Sequence, residues 1–185
     1  MVSVLSLLLP IGLSAIFVFA ASSLIHMVIG WHKNDLLKLP NEEAVMNALR
    51  PFNIPVGNYG LPKPDSMKDM NSPEFQAKYK AGPVAFLTIR SSDFSMGATM
   101  VQWFIYSIVV SVFAGYIAGV AFGPGTEYLR IFQVAGCVAF TGYGLAQAHE
   151  SIWWGRSWGW TLRNMADSLL YGLLTGGTFG WLWPR

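Results

Sequence analysis

The chain has one cysteine, Cys137, and it lies inside an apolar run. An internal disulfide is therefore excluded, as is any cysteine-built zinc or iron-sulfur site. Charge is nearly as scarce. Asp, Glu, Lys and Arg make up 12% of the 185 residues, where soluble domains carry about 25%, while 53% are hydrophobic and the net charge is +2. No dense Lys/Arg run could track a phosphate backbone, so nucleic-acid binding is set aside. No glycine-rich loop ends in Lys and Ser/Thr, and no dinucleotide fingerprint follows a strand, which removes nucleotide chemistry. No basic residue precedes the first apolar run, so that run reads as a retained anchor rather than a signal peptide.

What the chain has in quantity is apolar sequence, in blocks about as long as the roughly 20 residues that cross a bilayer. The first block is 4–31. Three more run over 100–122, 130–152 and 161–183. Between the first and second, composition changes sharply: residues 32–96 hold 8 Lys/Arg against 7 Asp/Glu, the signature of an aqueous loop. Within it, Asn41 as cap, Glu42 and Glu43 in the first turn, Arg50 in the last and Pro51 beyond predict a short helix. Pro51, Pro55, Pro62 and Pro64, with Gly57 and Gly60, predict an extended crossing. A second short helix should start at Ser72, with Pro73 in its first position, and stop at Gly82-Pro83. Residues 84–89 suit either a short strand or a surface-lying segment.

The expected fold is thus an all-α integral membrane protein with four transmembrane helices, and an ordered loop bearing two short helices between the first and second. The hairpins 97–183 and helix 4–31 form one membrane domain. Placing the N-terminus outside leaves ten Lys/Arg on the inner side and two, Arg130 and Arg185, on the outer. The positive-inside rule then puts both termini away from the cytoplasm.

Lipid tails solvate Leu as well as another helix does, so helix association relies on close backbone approach and interhelical hydrogen bonds. Small residues four apart supply the approach: Ser111, Gly115, Gly119 and Gly123 in one row, Gly172, Gly176 and Gly180 in another. Such rows serve packing within the chain or docking to a partner. A polar stripe, Asn164, Ser168, Tyr171, Thr175 and Thr178, runs along the last helix, and Tyr143, Gln147, Glu150 and Trp154 make another on the third. These groups should face protein or a water-filled cleft rather than lipid.

The densest chemistry is around the join of the last two blocks, where His149, Glu150, Arg156, Arg163 and Asp167 fall together with Trp153, Trp154, Trp158 and Trp160. With His26 at the same end of the first helix, two imidazoles and two carboxylates could hold a divalent metal, or two histidines a haem. The plainer reading is ion pairing: Arg163 and Asp167 stand four apart on one face, with Glu150 in reach of Arg156 or Arg163. Two motif matches fail on context. Gly155-Arg156-Ser157-Trp158-Gly159 has the spacing of a hydrolase nucleophile elbow, but a membrane helix precedes it and Ser157 is placed to cap the next one. His149-Glu150 opens a zinc-protease motif whose second His would fall at 153, where Trp153 stands. The Trp residues suit the head-group belt.

Through its apolar N-terminal span, the 38–50 stretch KLPNEEAVMNALR, Ser72-Pro-Glu-Phe75 and the closing Phe179-Gly-Trp-Leu-Trp-Pro184, the chain resembles a family of small bacterial inner-membrane proteins of unknown function. The resemblance implies the bacterial inner membrane and no particular activity. The expected function is a non-catalytic accessory or stabilising subunit of a larger membrane complex. Its alternatives are a metal- or haem-binding redox or transport protein, and a stand-alone homo-oligomer.

Overall fold

The computed structural model describes residues 1–185 and is mostly helical. Three continuous helical stretches, Val4–Ile29, Met96–Ala121 and Tyr128–Trp154, are long and apolar enough to cross a membrane. At about 1.5 Å per residue each exceeds the roughly 30 Å of hydrocarbon to be spanned. The first opens on a 3₁₀ turn whose Ser3 hydroxyl accepts from the Ser6 amide, continues as α1 (Leu8–Leu24) and ends in a π-helical turn, Ile25–Ile29. Pro10 is tolerated because it falls in the first turn of α1. Gly30, at φ +66°, ends it in a left-handed cap, its amide donating to the Ile25 carbonyl.

The second stretch is α4 (Met96–Ala121). The third is α5 (Tyr128–Phe140), a π-helical turn Thr141–Leu145 and α6 (Gln147–Trp154). The expected fourth span is α7 (Trp158–Trp181), 24 residues long. It carries Arg163, Asn164 and Asp167 as well as its Ser and Thr stripe, and is not among the helices apolar enough to cross a membrane by composition.

The chain divides into two compact units, Met1–Leu37 with Met96–Arg185, and Lys38–Ser95. In the first, Phe179 is fully buried among Leu7, Ile11, Ala118, Ile131 and Ala135. Further along, Val18, Val110, Ala139, Tyr143 and Tyr171 form a second core. Both small-residue rows are used inside the chain. A methyl group on Gly172 would meet Gly136 O at 2.9 Å, one on Gly176 would meet Phe132 O at 2.5 Å, and one on Gly180 would strike the Tyr128 ring. On α4, Gly115 lies against the Phe179 ring and Gly119 against the Val2 carbonyl, while Ser111 hydrogen-bonds Ser14 of α1 at 2.9 Å. Only Gly123 has open space where a side chain would go. Except at Gly123, these rows pack against backbone and side chains of the same chain.

The second unit contains α2 (Glu42–Leu49), β1 (Gly57–Leu61), α3 (Pro73–Ala81) and β2 (Ala85–Ile89). The strands pair antiparallel from Gly57 opposite Ile89 to Leu61 opposite Ala85. This small sheet corrects the all-α expectation: part of the Pro/Gly-rich crossing is one strand and the undecided 84–89 stretch is the other. The Ser72 hydroxyl caps α3 by accepting from the Phe75 amide at 3.1 Å, and Gly82 at φ +60° ends it, as its sequence predicts. Asn41 does not cap α2 with its side chain. It takes a left-handed conformation, and its carbonyl receives the Ala44 and Val45 amides instead. No residue from 38 to 95 is buried.

Candidate functional site

The site is assembled where α1 ends and α7 begins. After Gly30 the chain closes two successive tight turns, Lys33 amide to Gly30 carbonyl and Asp35 amide to His32 carbonyl. These hold Trp31, His32 and Asp35 in a compact corner. On the other side, Ser157 starts α7 by accepting from the Trp160 amide at 3.2 Å. Arg163 and Asp167 follow one helical turn apart, so both project from the same face.

His32 links the two elements. Its Nδ1 is 2.6 Å from Asp35 Oδ2 and its Nε2 is 2.7 Å from Asp167 Oδ2. Arg163 donates to Asp35 Oδ1 through Nε at 2.9 Å and also through Nη2. The Trp31 indole N–H points at the same His32 Nε2, 2.7 Å away. The His26 ring stacks on that of His32, with centroids 4.4 Å apart and planes 2° from parallel, while its Nδ1 is 2.9 Å from the Ser22 carbonyl oxygen. The carboxylates are the most enclosed members, Asp167 at 4% and Asp35 at 9% side-chain exposure, whereas Arg163 retains 31%. Burial by itself pushes the Asp35 carboxyl up, but hydrogen bonds from His32 and Arg163, with attraction to the Arg163 charge, outweigh it and hold Asp35 below the usual carboxylate range.

A polar and aromatic layer continues from this corner into the bundle. The Ser22 hydroxyl receives the Trp103 indole N–H at 2.8 Å, and Trp103 packs with Tyr106, Tyr143 and Tyr171. Tyr171 is one turn beyond Asp167. Its hydroxyl and that of Thr175 are buried without a hydrogen-bond partner. The α7 polar stripe thus faces the protein interior, with Ser168, Tyr171, Thr175 and Thr178 all buried. On the third helical stretch only the Tyr143 end of the stripe is buried, and Trp154 is exposed.

Of the residues singled out from sequence, the structure brings together His26, Arg163 and Asp167. It leaves the others apart. His149 is exposed, and Glu150 pairs at the limit of ion-pair distance, 4.0 Å, with Arg156 across two half-exposed side chains. Arg163 and Asp167 do not pair with each other: each is held by a residue of the 32–35 corner. His32 and Asp35 are the members that sequence reasoning missed, because a residue just past an apolar run reads as loop. The available signal was their spacing, three apart and immediately after a glycine, at the same end of the first span as His26.

The donor atoms suited to a cation are one each from His26, His32 and Asp167, which lie within 4.8 Å of one another. The ring nitrogens of both imidazoles meet a carbonyl, an indole N–H and two carboxylates, and no hydroxyl or thiol is hydrogen-bonded to them. The Ser157 hydroxyl is engaged as a cap, so Gly155–Gly159 is a helix start and has none of the strand-to-helix context of a nucleophile elbow. The arrangement can bind an ion, store a proton, or fasten the 31–35 corner to α7.

Three membrane-length apolar helices fit a multi-pass membrane protein in contact with lipid. No protein-family model matches the chain, and no curated protein or solved structure is significantly similar to it.

Proposed function

We propose that the protein is a non-catalytic accessory or stabilising subunit of a larger complex in a bacterial inner membrane, docking through residues 38–95. The observation that carries this reading is that a segment with two helices and a sheet has no buried residue. A two-stranded sheet is marginal without a third partner surface, and this segment leaves Leu39, Phe52, Val56 and Met67 more than half exposed. We take these exposed apolar side chains, in an ordered segment, as the interaction face. With the glycine rows filled from within the chain, the segment is also the feature left for docking. In this reading α7 is the fourth span, its charged residues turned to the protein interior, and the excess of Lys/Arg in 38–95 keeps that segment cytoplasmic with both termini on the far side.

Native mass spectrometry of the untagged protein, extracted from its own membranes in a mild detergent, tests this. The 20.4 kDa chain should travel with other polypeptides in a defined ratio. Phe52→Asp combined with Val56→Asp should release them while leaving the helical signal intact. A chain that travels alone, or with copies of itself only, removes the reading.

A further inference from the structure

The docking reading makes no use of the cluster at His26, His32 and Asp167. We propose that these three side chains form a binding site for one divalent first-row transition ion of the zinc and iron(II) class, held by two imidazoles and one carboxylate.

The positions of the ring protons are the first support. His26 Nδ1 faces a carbonyl oxygen, Ser22 O at 2.9 Å, which can only accept. The proton is therefore on Nδ1 and the lone pair on Nε2. His32 Nδ1 faces the Asp35 carboxylate at 2.6 Å, with the same consequence. An imidazole whose Nδ1–H is held by a carbonyl or carboxylate is oriented to offer Nε2 to a metal, and such outer partners raise its basicity. Asp35 is in turn fixed by Arg163, so the outer carboxylate has its own cation and leaves the central one, Asp167, to the ion.

The second support is an unanswered charge. Asp167 is 4% exposed, and its hydrogen-bond partner is His32 Nε2 at 2.7 Å. That nitrogen already receives the Trp31 indole N–H at 2.7 Å. One lone pair can accept from Trp31, but it has nothing to give the carboxylate, and two acceptors at that separation repel unless a positive charge lies between them. A buried carboxylate needs such a partner. A cation between His32 and Asp167, with His26 completing the set, supplies it.

Binding requires small movements, the first being that the Trp31 indole turns away, because the Nε2 lone pair that accepts its N–H is the one a metal ion takes. Parallel rings have their lone pairs in parallel planes, so one ion cannot lie in both planes until one ring turns. His26 is free to do so: it is exposed, on the π-helical turn at the end of the span, and held by one carbonyl. Metal–ligand bonds of about 2.0–2.1 Å in tetrahedral array also need the His32 and Asp167 ligand atoms to open to roughly 3.3 Å. The donor set selects the ion class. Two imidazoles disfavour magnesium and calcium, which take oxygen ligands, and the absence of thiolate from the cluster disfavours copper(I). Three protein ligands leave a further position open to water or an anion.

The test uses the full chain in detergent, stripped with a chelator and titrated with Co²⁺ as a visible stand-in, then with Zn²⁺ in competition. One ion per chain should bind, with the visible absorption of nitrogen-ligated cobalt. His26→Phe and His26→Gln, folded by circular dichroism, should each weaken binding by at least about tenfold, since losing an outer partner alone costs 10–100-fold. Asp35→Asn, which changes no ligand, should weaken it by about that outer-partner factor at unchanged stoichiometry. His149→Ala should change nothing. The proposal is overturned if the wild-type chain binds neither ion, if both His26 variants bind as it does, or if Mg²⁺ displaces Zn²⁺ at equal concentration. Because the titration uses the isolated chain, its result is independent of whether a partner subunit exists.

Discussion

Two adjacent glycines in α7 allow a direct test of how the bundle is held. Alanine at either position gains about 1 kcal/mol of helix propensity, so that gain cancels when the two variants are compared. Their surroundings do not. A methyl group at Gly177 would have only the Tyr128 hydroxyl within range, at an ordinary 3.6 Å. At Gly176 it would lie 2.5 Å from Phe132 O, 3.1 Å from Gly136 Cα and 3.2 Å from Gly136 N. All three are backbone atoms, so no side chain can rotate away, and α5 and α7 must part by most of an ångström. Overpacking of this kind costs about 1–3 kcal/mol, and α5 against α7 is the most extensive helix pairing in the molecule. Gly177→Ala should therefore be neutral or up to about 1 kcal/mol more stable than wild type, and Gly176→Ala about 1–3 kcal/mol less stable than Gly177→Ala. Equilibrium unfolding in mixed micelles, with SDS as denaturant and helical circular dichroism as signal, measures the difference. If the two variants unfold at the same SDS fraction, the packing argument is wrong.

Arg163→Met removes the cation from the enclosed Asp35 carboxylate and should cost about 1–3 kcal/mol in the same assay, below the 3–5 kcal/mol of a fully enclosed pair because solvent reaches the guanidinium. An unchanged midpoint would mean that the corner does not depend on that pair. Asp35 also sets an acid limit. Its native pKa is lowered, so as pH falls the unfolded chain takes up the proton first. The stability Asp35 supplies is complete above the ordinary value of about 3.9 and is lost as pH falls from there through the lowered native value. Unfolding midpoints between pH 6 and pH 3 should drop more steeply for wild type than for Asp35→Asn; parallel curves would contradict the assignment. Ser157→Ala deletes the α7 cap and should cost about 1 kcal/mol, whereas a Ser157 with no capping role would leave the midpoint where it is.

The parts of the fold that were legible in the sequence are those set by local chemistry. The hydrophobic runs located the long helices, Ser72 and Ser157 marked helix starts that their hydroxyls cap, and Gly82 marked a stop. The small-residue rows were recognisable as close-approach surfaces, but which backbone they approach depends on helix rotation, which a row of glycines does not encode. Asn41 shows the limit of capping rules: a residue able to cap can instead adopt the left-handed conformation and satisfy the helix start with its carbonyl. The β1–β2 pairing was hidden because its strands are separated by α3 and one of them, Gly57–Leu61, has two glycines in five residues, a composition that strands seldom have.

The site was only half legible, for a reason that lies in Arg163 and Asp167. Four apart on one helix, they have the spacing of an intrahelical ion pair, and that spacing predicts a closed, self-sufficient unit. The corner after Gly30 changes the outcome by delivering His32 and Asp35 against the same face. The four groups then line up as guanidinium, carboxylate, imidazole, carboxylate, through contacts that join residues 128 and 135 positions apart. In this order no two carboxylates are neighbours, and both charged groups of α7 meet a residue from another helix end. Had Arg163 and Asp167 paired with each other, Asp35 would be an enclosed carboxylate without a cation, a state that costs several kcal/mol. The partner of a charged residue in α7 is thus decided by the turn that ends the first helical stretch. Spacing within α7 could not show this.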